Sequence, residues 1–129
     1  MLMLDLATYN TGEPVRLREV AKRQQISEKY LEQIISILNK AGFVKSIRGP
    51  QGGYILKNPP ESYTVGMILR QTEGNLAPAS YDDASTPEQE SVIVRIWEQL
   101  SEAINNIVDN ITLKDLLDWQ TEQISQYVI

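Results

Sequence analysis

Between Ser27 and Lys57 the chain spells out a helix, a stop and a hairpin in immediate succession. Tyr30, Leu31, Ile34, Ile35, Leu38 and Ala41 recur at helical spacing. Ser27 is a good N-cap candidate ahead of them, and Gly42 suits the left-handed residue that ends a helix. The apolar and β-branched segments Phe43–Ile47 and Tyr54–Lys57 then flank the tip Arg48-Gly49-Pro50-Gln51-Gly52-Gly53, which reads as a hairpin with a longer loop. Upstream, Leu17, Val20 and Ala21 share one face of a short helix ending near Gln24. The joint Gln25-Ile26-Ser27 makes the two helices a helix-turn-helix. A helix-turn-helix followed at once by a hairpin is a winged helix.

The rest of the chain fits around that unit. Leu2 to Tyr9 reads as a helix without a cap, and Thr11-Gly12-Glu13-Pro14 is a break. Pro59-Pro60 closes the wing, and Thr64 caps a short helix running through Val65, Ile68 and Leu69 to Glu73-Gly74. Residues 75–91 are polar with two prolines and read as an exposed loop. From Val92 a stripe runs through Ile93, Ile96, Trp97, Leu100, Ala103, Ile104, Ile107, Val108 and Ile111. A helix of about five turns carrying such a stripe needs a partner surface. Thr112 caps a last helix with Leu113, Leu116, Leu117 and Trp119. The expected fold is mainly α with a small β-wing. Its divisions are a winged helix-turn-helix over 1–74, the loop 75–91, and a dimerisation helix with a C-terminal helix and tail over 92–129.

Composition narrows the chemistry. With 129 residues, 42% of them hydrophobic, the chain can bury one real core. It has no Cys and no His. Zinc, haem and iron–sulfur ligation lose their usual donors, and nucleophile–histidine catalysis is impossible. No metal, cofactor or enzymatic activity is expected. No apolar run reaches the roughly 18 residues of a membrane span. The start Met1-Leu2-Met3-Leu4-Asp5 lacks the marks of a secretory signal, and the expected compartment is the cytoplasm. The net charge of −5 hides an asymmetry. Residues 1–60 hold nine Lys/Arg against five Asp/Glu, and residues 61–129 hold three against twelve. The basic half can meet a polyanion while the acidic half faces away.

Candidate DNA contacts follow from the winged helix. Arg48 stands at a glycine-rich tip, where a guanidinium can enter a minor groove, with Gly49, Gln51, Gly52 and Gly53 permitting close approach. Ser27, Glu28, Lys29 and Tyr30 open the second helix, where a recognition helix places its contacts. Ser27 is also a plain N-cap, Lys29 suits a phosphate, and Tyr30 is open between core packing and a phosphate hydrogen bond. Glu32 and Gln33 are either contacts or a solvated face. Arg16, Arg18, Lys22 and Arg23 lie on the first helix of the pair, as phosphate contacts or a solvated face. Ile93, Trp97, Leu100, Ile104 and Ile107 are the candidate dimer contacts, with Trp97 as an anchor.

These residues also carry a resemblance. The strings Ile26-Ser27-Glu28-Lys29-Tyr30-Leu31-Glu32-Gln33 and Lys40 to Tyr54 resemble the Rrf2 family of bacterial winged-helix regulators. Thr64-Val65-Gly66-Met67-Ile68, Thr72-Glu73-Gly74 and Asn110-Ile111-Thr112-Leu113 continue the likeness in order. The resemblance implies that the recognition helix reads the major groove and that Arg48 enters the minor groove. It also implies a dimer through the long helix. Many members sense through a cluster held by three cysteines after the Glu-Gly pair; the matching stretch, Asn75 to Ser91, has none. The likeness is greatest to the cluster-free, cysteine-metabolism repressor type, which works with cysteine synthase. The end Tyr127-Val128-Ile129 fits that partner, because a terminal carboxylate can be captured by backbone donors while Ile fills an apolar recess.

Three departures stand out. The family has a short segment with basic residues ahead of the position of Met1. Gln25 sits where glycine is usual, and a left-handed conformation there would cost about 1 kcal/mol. Arg16 replaces a small hydroxyl cap, at about 1 kcal/mol again.

The expected function is that of a dimeric, sequence-specific DNA-binding repressor of cysteine and sulfur genes. Its alternatives are a regulator answering directly to a small effector, and a protein-interaction module without DNA binding.

Overall fold

The computed structural model describes residues 1–74 and 87–127. Helix α1 (Leu2–Thr8) is followed by α2 (Leu17–Gln24) and α3 (Glu28–Lys40), then strands β1 (Val44–Ile47) and β2 (Gly53–Leu56). A single 3-10 turn at Pro60–Ser62 leads into α4 (Val65–Thr72), α5 (Pro87–Val108) and α6 (Leu113–Tyr127). The helix-turn-helix and wing stand where the residue spacing predicts them. The Ser27 hydroxyl accepts from the Tyr30 backbone N–H at 3.0 Å, closing the first turn of α3. At the other end Gly42 takes φ +79°, and the chain turns directly into β1.

Among the described residues, the core gathers buried side chains from every helix except α5 and from both strands. Leu31, Ile35 and Leu38 of α3 meet Leu2, Met3 and Leu6 of α1, with Val20, Val44, Leu56 and Ile68 around them. Tyr63 is buried at the centre of the turn after the wing. Its hydroxyl donates to the Phe43 carbonyl at 2.7 Å and accepts from the Asn58 N–H at 3.0 Å. Its ring meets Phe43 edge-on, centroids 5.5 Å apart. One residue thereby joins the entry and exit of the hairpin.

Two features differ from the sequence expectations. Helix α5 begins at Pro87, so its first turn falls inside the stretch 75–91 expected to be loop; the remainder of that stretch up to residue 86 lies outside the described residues. Proline is pre-set for a first helical position, and Glu and Gln are good helix formers, so polarity concealed a helix start. Second, α6, expected in one unit with the dimerisation helix over 92–129, makes its contacts with the winged helix-turn-helix. It returns to the body and packs along α1, with Leu113 fully buried and Leu116 and Leu117 against the core. Thr112 and Asp115 cap each other's backbone N–H reciprocally at 3.1 and 2.9 Å, which sets the direction of that return.

Candidate nucleic-acid interface

With Leu31, Ile35 and Leu38 inward, the opposite face of α3 presents Lys29, Gln33, Ser36 and Lys40 to solvent, spaced four, three and four residues apart. Glu28 and Glu32 are also exposed, beside this stripe rather than along its crest. Tyr30 is 52% exposed and belongs to the flank of α3 that faces α1 and α4, so core packing does not account for it. Ser27 is committed to the cap. Lys29 and Gln33 offer a cation and an amide on neighbouring turns, the chemistry that serves phosphate contact and base-edge reading. Ser36 and Lys40 lay outside the sequence reading. They complete the stripe, and counting on from Lys29 at helical spacing would have reached them.

The wing is a two-stranded antiparallel ribbon with Val44 opposite Leu56 and Ile47 opposite Gly53. A third segment buttresses it: Val15 and Tyr54 exchange backbone hydrogen bonds at 2.9 and 2.8 Å. Arg48, Gly49, Pro50 and Gln51 form an exposed tip, with Gly49 at φ +115° and its carbonyl accepting from the Gly52 N–H at 2.9 Å. The structure gives Gly52 and Gly53 backbone reasons. A Cβ on Gly52 would lie 2.4 Å from the Ile47 carbonyl oxygen, and one on Gly53 equally close to that of Val15. They permit the sharp tip that exposes Arg48.

The basic residues of α2 divide. Arg16 donates to the Pro50 carbonyl, tying the start of α2 to the wing tip. Arg23 is committed inward: its guanidinium forks onto the buried Asp5 carboxylate and lies 4.1 Å from the Tyr9 ring centroid. Its hydrogen bond to Asp5 pushes the Arg23 pKa further up. Arg23 thus fastens α2 to α1. Arg18 and Lys22 are exposed on the same helix.

Helix α5 spans 22 residues, and none of its side chains from Ser91 to Val108 is buried. Val92, Ile96, Leu100 and Ile107 are exposed, the last at 61%; Ile93, Trp97 and Ile104 are half-buried. Ile93, Leu100 and Ile107 repeat every seven residues with Ile96 and Ala103 between them, the spacing of a helix that pairs with another helix. In the tail, Tyr127 ends α6, while Val128 and Ile129 lie outside the described residues.

Residues 1–119 match the profile of the Rrf2 family, described as iron-dependent transcriptional regulator. Among curated proteins the chain is similar to the HTH-type transcriptional regulator CymR of Bacillus subtilis, 34% identical over 127 residues, covering 98% of this chain and 89% of that protein. Among solved structures it is similar to CymR, the global cysteine regulator of B. subtilis, with TM-score 0.75 and 36% identity over 92% of this chain and 88% of that one. It is similar also to IscR of T. potens, with TM-score 0.77 and 43% identity over 94% of this chain and 81% of that one. Iron in the family description does not fit the donors present here. The chain has no Cys and no His. Among the described residues, no group of three His, Cys, Asp or Glu side chains stands close enough to hold a metal.

Proposed function

The chain belongs to the Rrf2 family of transcription regulators, and from that premise we propose that it acts in the cytoplasm as a homodimeric repressor of cysteine and sulfur genes. The observation that carries this reading is the pairing of a capped α3, whose exposed crest is Lys29, Gln33, Ser36 and Lys40, with an exposed Arg48 on a buttressed wing. Helix α3 lies in the major groove, and Arg48 follows the negative potential of an adjacent minor groove. The apolar stripe of α5 pairs two copies and sets the separation of their half-sites. Repression follows from covering a promoter. The likeness to the cysteine regulator supports the target class, and cysteine synthase is the proposed partner that reports cysteine supply, met through residues 127–129.

Fluorescence anisotropy on operator DNA selected from a random pool, across a salt series and with or without cysteine synthase, tests each part. Expected is binding that falls steeply with salt, strengthens with the enzyme, and loses that response when Ile129 is deleted. Specific binding indifferent to the enzyme would remove the partner and keep the regulator. Absence of specific binding would favour a protein-interaction module.

A second reading has an observation of its own. A cleft of about 270 Å³ opens between α1, α3 and α4, lined by Met3, Ile26, Tyr30, Ile34, Leu38 and Leu69. An apolar effector seated there would touch both the recognition helix and the helix leading to α5, so it could alter DNA affinity with no protein partner. Operator binding that shifts with a small apolar amino acid alone would favour it.

A further inference from the structure

Near its C-terminal end helix α5 is held to the body. The Arg70 guanidinium on α4 forks onto Asp109, Nη1 to Oδ1 at 2.6 Å and Nη2 to Oδ2 at 2.9 Å, and Nη2 also reaches Asn105 Oδ1 at 2.8 Å. Beside this fork the backbone is pinned: Val65 N–H donates to the Ile111 carbonyl at 2.8 Å, and Leu113 N–H donates to the Tyr63 carbonyl at 2.8 Å. Gly66, buried between them, makes room. A Cβ there would lie 2.1 Å from Asp109 Oδ1 and 3.1 Å from Val108 Cγ2.

Stability does not explain the arrangement. Arg70 and Asp109 are 39% and 43% exposed, and ion pairs so open to water add little to folding. Geometry does explain it. A planar, bidentate fork fixes direction as well as distance, and the third bond to Asn105, one turn back, fixes the helix about its own axis. The hydrogen bond from Arg70, with its charge behind it, also holds the Asp109 carboxyl below its ordinary range.

The lever is long. Twenty-two residues at about 1.5 Å each span roughly 33 Å. Over that length a change of about 6° moves the far end by about 3.4 Å, the rise of one base pair. The angle at which α5 leaves the body must be held within a few degrees if one spacing is to be preferred.

We propose that Arg70 is a positioning residue whose fork on Asp109 and Asn105 sets that angle, and with it the half-site spacing the dimer accepts. This rests on the reading above, in which α5 pairs two copies on DNA. The fork limits the freedom of two DNA-reading bodies about one shared seam.

The test uses the full chain and a series of operators whose centre is lengthened or shortened by one and two base pairs. Each is titrated with the wild type, Arg70→Ala, Arg70→Lys and Gly66→Ala. Arg70→Lys keeps the charge and loses the fork. Gly66→Ala puts a Cβ against Asp109 from the opposite side, and the circular dichroism and denaturation midpoint of each variant separate a folding defect from a lost fork. The wild type should prefer one spacing. Arg70→Ala and Gly66→Ala should lose at least about fivefold of that discrimination, the lower end of ordinary site-to-site coupling. Arg70→Lys should fall between them and the wild type, and affinity for an isolated half-site should not change. If the variants keep the wild-type spacing profile, Arg70 is not the positioning residue. If the wild type itself binds no operator as a dimer, the underlying functional reading fails, and the spacing role falls with it.

Discussion

Arg48 and Gln25 show how local backbone decides what a side chain can do. Arg48 is exposed because Gly49 takes a conformation closed to most residues and Gly52 lets two carbonyls approach. Arg48→Ala is therefore expected to cost about 1–3 kcal/mol of operator binding and to flatten the A·T preference at the position it enters. Unchanged affinity together with an unchanged footprint would take Arg48 out of the interface. Gln25 lies at φ 55°, ψ 44°, the left-handed conformation expected of the turn. Gln25→Gly should stabilise the protein by roughly 0.5–1 kcal/mol in chemical denaturation, because glycine meets no Cβ clash there. A loss of stability instead would mean that Gln25 contacts outweigh the strain. Residue identity alone was a poorer guide to the arginines. Arg16 and Arg23 read as members of one basic face, yet Pro50 and Asp5 claim them. Nothing in the spacing of α2 announces partners that lie 34 and 18 positions away in the chain.

Helices α3 and α5 differ in how they bury their apolar faces. In α3 the central row Leu31, Ile35 and Leu38 is buried within one chain, and the opposite face is left for a ligand. In α5 the stripe has insufficient cover within one chain, with Leu100 at 42% exposure and Ile104 half-buried. Placing Asp at both Leu100 and Ile104 should therefore leave each protomer folded and abolish the pair. Sedimentation would show a monomer of native circular dichroism. A persisting dimer would move the interface elsewhere, and unfolding would mean that α5 supports the body more than its exposure indicates. The start of α5 was hidden from periodicity because its first turn is polar, and an apolar stripe marks only the part of a helix that needs cover.

At the scale of the whole molecule, α6 makes the C-terminal residues part of the DNA-reading body. Leu113 is fully buried, and Gln120 reaches Thr8 across the seam with α1. Leu113→Ala is expected to destabilise the fold by about 2–5 kcal/mol. The loss would be measured as a lower denaturation midpoint shared by probes of α1 and of α6. A separate early transition of α6 would mean that it is an appendage. The return of α6 also keeps acidic chain beside a basic half.

The winged helix-turn-helix was legible from the sequence because its signals are local. Ser27 and Gly42 bracket a helix through hydrogen bonds and dihedral angles within a few residues, and the hairpin follows from alternation about a glycine tip. The absence of Cys and His decided equally early that a thiolate-held cluster does not fit. The direction of α6, the internal partners of Arg16 and Arg23, and the Arg70 fork on Asp109 needed the tertiary structure. Each joins groups far apart in the chain. Whether such groups meet depends on how the elements pack, and periodicity along the chain carries no information about that.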